Sequence, residues 1–478
     1  LSMTYILLYF GFGLVVCISQ VLIKKTLGNF LLFVPFLLMQ IVFTYFCYSQ
    51  LDVFQDIYFR IDRIGVIFLA VLAIIAIPSV SHSAIYSVER KDSDSQMAYH
   101  NASITFFIMC MTGAMISNHL GMMWAFIEGT TLVSAVMIYH DRDKSSLEAA
   151  WKYFFVCSIG LALAYIGILF LGIAVQETKH LDLSVTALVA KAPFMNPLWL
   201  KVGFLFAVVG FSVKMGVAPL FSVDIDAKDK APSPVGALFS GGLMNVGFIA
   251  IFRFYEILSV TSTRIWTDKI LIIIGTVSIF FAAVYLIKVR NIKRILAYSS
   301  VEHAGLALIA LGAGSMGHFA SIFHLVFHSF AKSSLFLQVG QVFRIYLNKN
   351  IDNIGGYFKI NPAGGTVMFL GFLCIIAIPP SGMFLTELYT FMALFGMYHW
   401  LVGGFLLICL TFIFASFINA MLRLLFAPFP GKLATYDVIH PWESISQFIM
   451  IGFVLWMGIF PNEGLVQFVR DAVKHLPK

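Results

Sequence analysis

The chain has 478 residues, 60% of them hydrophobic and only 12% charged, with a mean hydropathy of +0.91. Soluble domains carry about 25% charged residues, so a soluble fold of this size is excluded and lipid must solvate much of the surface. The net charge of +7 does not make it a nucleic-acid binder, because its Lys and Arg sit in short loops between apolar runs, where they act as topology signals.

A membrane span needs about 20 predominantly apolar residues. About fourteen such runs follow one another, near 2–23, 29–49, 63–86, 102–118, 119–139, 151–174, 198–221, 235–258, 268–288, 297–314, 319–346, 365–391, 398–424 and 444–466. The expectation is an all-α polytopic membrane protein, a single membrane domain over 1–478 with no separate soluble part. The first run has no basic n-region and no A-x-A site, so it reads as a first membrane helix rather than a removed signal peptide. Runs four and five are divided only by Ser117, Asn118 and His119.

Loops after odd-numbered runs hold most of the basic residues, among them Lys24, Arg90, Lys91, Arg142, Lys228, Lys288, Arg294, Arg344, Arg423 and Lys432. Loops after even runs hold only Arg60, Arg63, Lys179, Lys191, Arg264 and Lys269. This bias of roughly three to one puts the odd loops in the cytoplasm. An even span count then puts both termini outside, against a weaker contrary signal from Arg470, Lys474 and Lys478.

An ionisable side chain at membrane depth costs at least about 2.5–3.5 kcal/mol, so such residues are candidates for function. Glu128 lies mid-run in WAFIEGTT and cannot snorkel. Lys214 lies five residues before Pro219, where the helix should break. Glu128 is the expected partner of Lys214, and loosening that pair would release a proton. Arg253 and Lys201, near run ends, read as snorkelling. Asp224, Asp226, Lys228, Asp229 and Lys230 read as a solvated cytoplasmic turn, with proton gathering as the alternative.

Glu302 and His303 sit about one turn inside the cytoplasmic end of run ten, as a relay access point or a loop-anchoring pair. In run eleven His324, His328 and Lys332 are spaced i, i+4, i+8, so they share one helix face. Three titratable groups in a row inside an apolar helix point to proton relay. Two His at i, i+4 can also chelate, but no third carboxylate or Cys ligand accompanies them locally, so no metal site is expected. In run twelve Pro379 and Pro380 break the helix and Glu387 follows about two turns later. Runs seven and twelve thus pair a Pro break with a buried charge in opposite orientations, the pattern of inverted repeats. The repeats would cover 102–258 and 268–424, with flanking helices at 2–86 and 444–466.

The six cysteines, Cys17, Cys47, Cys110, Cys157, Cys374 and Cys409, lie in apolar stretches without CxxC, so no cofactor is expected. Gly312, Gly314 and Gly317 fit GxGxxG but sit between two membrane runs, outside any βαβ context.

Three long segments carry a family likeness: WAFIEGTT around Glu128; VKMGVAPLFSVDIDAKDKAPSPVGALFSGGLMN around Lys214; and KRILAYSSVEHAGLALIALG with FHLVFHSFAKSSLF. The chain resembles the antiporter-like, proton-translocating membrane subunits shared by respiratory complex I, Mrp-type antiporters and membrane-bound hydrogenases. AYSSVEHAG looks most like the F subunit of the hydrogenase-4 and formate hydrogenlyase group. The short stretch after the last run also differs from the complex I distal subunit and its lateral helix. The resemblance implies a proton-translocating subunit of a redox complex without a redox centre of its own, with other membrane subunits and a peripheral redox or soluble module as partners. It assigns relay roles to Glu128, Lys214, His324, His328, Lys332 and Glu387, and adds Lys293 at the start of run ten. Protons would reach Lys214, cross laterally through run eleven and leave past Glu387. Asn245 departs from the family pattern, standing where many relatives have Lys or His, so the link from Lys214 to His324 would depend on water. A Na+/H+ antiporter module and a membrane subunit for inorganic-carbon uptake are the alternatives. The expected setting is the bilayer of a bacterial or archaeal cytoplasmic membrane.

Overall fold

The computed structural model describes residues 2–90, 92–175, 182–429 and 439–476. The topology signals Lys91, Lys179, Lys432 and Lys478 lie outside the described residues. Among the described residues the only β features are isolated bridges, and everything else regular is helical. In chain order the helices are α1 (Ser2–Leu22), α2 (Thr26–Leu31), α3 (Phe33–Ser49), α4 (Arg63–Glu89), α5 (Asp94–Ile116), α6 (Leu120–Ile138) and α7 (Lys144–Val175). Then come α8 (Val185–Lys191), α9 (Pro197–Met215), α10 (Ser222–Lys230), α11 (Ser233–Leu238), α12 (Met244–Ser259), α13 (Arg264–Leu286) and α14 (Ile292–Gly312). The last are α15 (Ser315–Tyr346), α16 (Tyr357–Ile360), α17 (Pro362–Ile375), α18 (Gly382–Gly396), α19 (Trp400–Phe426), α20 (Ile445–Ile459) and α21 (Glu463–Val473).

Every expected apolar run falls on a helix or a helix pair. Among the described residues, eleven helical segments are long and apolar enough to cross a membrane by length and composition alone. The runs outside that set fall on α5 and α15, which are long enough but more polar, and on α17 and α18, each too short alone. Leu7, Leu8, Val15, Ile18, Leu38, Val42, Leu407 and Ile408 point outward from α1, α3 and α19, an apolar surface suited to lipid. The α11–α12 unit and α14 are enclosed by protein along their whole apolar windows, and nearly all of α15 is buried. The core is therefore α11–α12, α14 and α15, which carry buried polar side chains, sheathed by more exposed apolar helices.

Close helix contact comes from paired glycines. A Cβ on Gly275 of α13 would stand 2.5 Å from the Gly305 carbonyl oxygen of α14, and one on Gly305 would stand 2.7 Å from that of Gly275. In the same way α7 meets α9 where Gly167 faces Gly203. Small residues let backbones approach to van der Waals contact where the hydrophobic effect offers no drive in lipid.

Helix breaks fall at the expected prolines. After α9, Gly216 turns left-handed (φ +77°), and the Ala218 N–H, freed from the helix ladder, donates to Ser278 Oγ at 2.9 Å. Between α17 and α18, Ala377 is left-handed (φ +51°), and Ser381 caps α18 by accepting from the Phe384 N–H at 3.2 Å. Both breaks contain a cis X–Pro bond, Ala218–Pro219 and Pro379–Pro380. A third break was not expected: Phe239–Leu243 winds as a π-helix between α11 and α12, a form often found at functional sites.

Three expectations are corrected. Run ten begins earlier than its hydropathy suggests, because Asn291 caps α14 by accepting from the N–H of Lys293 at 2.9 Å and of Arg294 at 3.4 Å. Glu302 and His303 are consequently at mid-helix and buried, not one turn from an end. The turn after Pro219 is a helix, α10, packed against α7 and α14. Its Asp224, Lys228 and Asp229 are buried rather than solvated. Arg253 does not snorkel; it is completely buried in an ion cluster. Its Nη1 lies 2.5 Å from Asp62 Oδ2 and 2.9 Å from Glu256 Oε2, while Arg60 joins both carboxylates at 2.8 and 3.1 Å. His475, after α21, meets Glu256 Oε1 at 2.9 Å. This arginine is paired because an unpaired buried guanidinium would cost far more.

Candidate functional site

Glu128, on α6, is half-buried. Its Oε1 accepts from Ser158 Oγ of α7 at 3.3 Å, and its Oε2 is buried without a hydrogen-bond partner. Lys214, on the last turn of α9, is 2% exposed. The expected Glu128–Lys214 ion pair is not formed. The Lys214 Nζ donates instead to the Tyr153 hydroxyl of α7 at 3.1 Å, and lies 5.0 Å from that ring's centroid. Glu128 and Asp224 both remain within electrostatic reach of Lys214. The position of Lys214 is set by Gly247 of α12, whose missing Cβ leaves room for the Lys214–Met215 backbone.

Beyond the first break, Lys228 Nζ pairs with Asp224 Oδ2 at 2.5 Å, both side chains almost wholly buried. Lys228 is within electrostatic reach of His328 and Lys332 on α15. Asn245 stands beside this passage, donating to the Gly241 carbonyl within the π-helix and to Ser329 Oγ of α15, both at 2.8 Å. It is a link between helices, with its Oδ1 left without a partner.

Around α15 the buried groups converge. Lys332 Nζ donates to the Leu296 carbonyl of α14 at 2.7 Å. Both ring nitrogens of His328 lack hydrogen-bond partners. Glu302 of α14 is within electrostatic reach of Lys332 and Glu387. His303 Nδ1 lies 3.1 Å from His324 Nε2, and His324 Nδ1 lies 2.8 Å from Thr386 Oγ1 on α18. Next to Thr386, Glu387 lines a cavity of about 240 Å³ with Glu302 and the α19 residues Leu407, Leu410 and Phe414.

Of the candidate residues, the fold thus gathers Glu302, His303, His324, His328, Lys332 and Glu387 into one cluster. Glu128 and Lys214 form a second, and the Asp224–Lys228 pair stands between them. Lys293 belongs to neither: its Nζ donates to the Ala231 carbonyl at 2.8 Å, beside the Asp229 that also binds Asn291. Tyr153 and Thr386 were missed by the sequence reading, and Asp224 and Lys228 were named there only as part of a solvated turn that could gather protons. The i, i+4 spacing of Asp224 and Lys228 was a visible signal for one of these pairs. Nothing local marked Tyr153 or Thr386.

The family described as NADH:quinone oxidoreductase/Mrp antiporter, TM, matches residues 117–414, a stretch that holds every residue of both clusters. The chain belongs to this family. Among individual antiporter-family proteins, the hydrogenase-4 component F homolog of Methylacidiphilum infernorum is 31% identical over 338 residues, covering 69% of this chain and 71% of that protein. Hydrogenase-4 component B of Escherichia coli is 27% identical and Na(+)/H(+) antiporter subunit A1 of Staphylococcus saprophyticus 28%. The match covers 72% and 63% of this chain, but only 52% and 39% of those longer proteins. Among solved structures, the membrane-bound sulfane sulfur reductase, an archaeal respiratory membrane complex, contains a chain with the same fold: TM-score 0.86, 20% identity, 98% of this chain and 97% of that one covered. The Mrp complex of Dietzia sp. matches with TM-score 0.82 at 15% identity, covering 99% and 97%.

Proposed function

We propose that this antiporter-family subunit translocates protons within a membrane-bound redox complex, through the buried string from Glu128 to Glu387. The observation that carries this reading is the continuity of the string. Each group stands in hydrogen-bond or electrostatic reach of the next, although each costs at least about 2.5–3.5 kcal/mol at membrane depth. Water wires fill the remaining gaps. Lys214 is the gate. Moving the Glu128 charge, through a neighbouring membrane subunit, changes whether Lys214 holds its proton. The Asp224–Lys228 pair passes the change to His328 and Lys332, and the His303–His324–Glu387 end releases the proton. The electron chemistry belongs to partners: other membrane subunits and a peripheral redox module, as the names of the hydrogenase-4 relatives suggest.

The proposal includes two inverted five-helix repeats, 102–258 and 268–424. The matching helix breaks at Pro219 and Pro380, each near a charged residue of its apolar run, support it. It also includes a bacterial or archaeal cytoplasmic membrane, with odd-numbered loops inside and both termini outside, on the strength of the basic-residue bias.

A Na+/H+ antiporter module is the second reading, favoured by the 28% identity to the Staphylococcus subunit. The test is ion flux in proteoliposomes holding the native assembly. Lys214→Ala and Glu128→Ala should each abolish proton translocation while the assembly still purifies intact. Full pumping in both variants would overturn the relay. Flux that requires sodium would decide for the second reading.

A further inference from the structure

We propose that His303, His324 and Glu387 form a binding site for a zinc-like divalent transition-metal ion. They are the only group of three or more His, Cys, Asp or Glu among the described residues whose ligand atoms come together, all within 4.8 Å of one another. They come from three different helices, α14, α15 and α18, which pack on one another. The arrangement is therefore built by the fold and not by one flexible segment.

The nitrogen geometry suits a metal. Two ligands of a tetrahedral zinc with bonds of about 2.0–2.1 Å stand about 3.3 Å apart. His303 Nδ1 and His324 Nε2 are 3.1 Å apart, so a shift of a few tenths of an ångström admits the ion. The Thr386 Oγ1 lies 2.8 Å from His324 Nδ1 and 2.9 Å from the Met383 carbonyl. With its hydroxyl proton on that carbonyl it accepts from an Nδ1–H of His324, the tautomer that presents a lone pair at Nε2. A metal-bound histidine usually has its other ring N–H held in this way. His303 would move its proton to Nε2, which now has no hydrogen-bond partner and has the Ile375 carbonyl nearby. Among the described residues Glu387 has no hydrogen-bond partner that would oppose its turning inward, and it lines a cavity of about 240 Å³ that leaves room to do so. The fourth position goes to water or to His328, whose ring is 5.3 Å from that of His303 and whose nitrogens are both unpartnered.

Two imidazoles and a carboxylate select zinc and its neighbours over sodium or magnesium, which prefer oxygen donors. Under the relay reading, a bound ion occupies both facing lone pairs and closes the exit half of the string. Binding itself does not depend on that reading.

The test is zinc titration of the purified full-length chain in detergent against a chromophoric chelator, with X-ray absorption at the zinc edge. The expected result is one tight ion per chain with scattering from two imidazoles. Thr386→Val, which removes only the hydroxyl that orients His324, should weaken binding about 10–100-fold. His303→Gln should abolish the tight site, and His318→Gln, a buried histidine outside the set, should keep it. A zinc spectrum without imidazole scattering, or unchanged affinity in His303→Gln, would overturn the proposal. Should the variants not assemble, the wild-type spectrum decides alone. A failed zinc site leaves the Lys214 and Glu128 flux result untouched, so the two readings stand or fall separately.

Discussion

Lys214 Nζ is hydrogen-bonded to the Tyr153 hydroxyl at 3.1 Å and not to Glu128. The tyrosine gives the buried ammonium an oxygen acceptor and a ring face at once. Under the proposed relay, Glu128 acts on it from a distance without clamping it.

Removing that hydroxyl should slow transport without ending it. A hydrogen bond to a charged group is worth about 1.5–3 kcal/mol, and each 1.36 kcal/mol on a barrier is about tenfold in rate. Tyr153→Phe is expected to lower proton flux roughly 10- to 100-fold with assembly intact. Unchanged flux in proteoliposomes would remove Tyr153 from the mechanism.

The Asp224–Lys228 pair offers a way to separate folding from relay. Deleting one member of a buried ion pair costs about 3–5 kcal/mol, while replacing both by neutral groups is often tolerated. Asp224→Asn and Lys228→Met should each lower the melting temperature more than the double variant does. The double variant should still fail to pump. Normal pumping in the well-folded double variant would show that the pair is only structural.

Arg253 anchors the cluster that joins the start of α4, the end of α12 and the segment after α21. Burial works to raise the Asp62 carboxyl, but Arg253 and Arg60 outweigh it and hold it at about 2. A depressed carboxyl contributes stability that is fully present above its unfolded value near 3.8 and is lost only as pH falls through about 2. Arg253→Met should cost about 3–5 kcal/mol at neutral pH by stranding buried carboxylate charge. That deficit should shrink as pH is lowered from 7 to 4, because protonation then relieves the stranded charge. Thermal melts at the two pH values measure this, and a deficit independent of pH would refute it.

The glycine seam of α13 and α14 should be intolerant of a single methyl group. Gly275→Ala would drive a Cβ into the Gly305 carbonyl at 2.5 Å, and overpacking of this kind costs about 1–3 kcal/mol. Gly404→Ala, with nothing near its Cβ position, is the control. Equal melting temperatures for the two variants would mean that the seam relaxes freely.

Much of this was legible in the chain itself. The apolar runs marked the helices, and Pro219, Pro379 and Pro380 marked where two of them break. Glu128, Lys214 and Glu387 stood out because charge inside an apolar run is costly wherever the helix packs. The spacing of His324, His328 and Lys332 told which face they share. The misreadings came from judging polar stretches by hydropathy alone. The first turns of α14 and all of α10 are polar enough to pass for loops, yet both are enclosed by other helices, and Arg253 near a run end found carboxylates instead of water.

The sequence by itself therefore determined where the apolar helices lie, where proline breaks two of them and which charges within the apolar runs must be satisfied, since these follow from hydropathy, proline geometry and the cost of burying charge. Only the tertiary structure decided who satisfies whom. Lys214 meets Tyr153 of another helix, His303 of α14 meets His324 of α15, and Glu387 joins them from α18. A helical sequence specifies the direction in which a side chain points but not the neighbour that occupies that direction, and packing across the core assigns the neighbour.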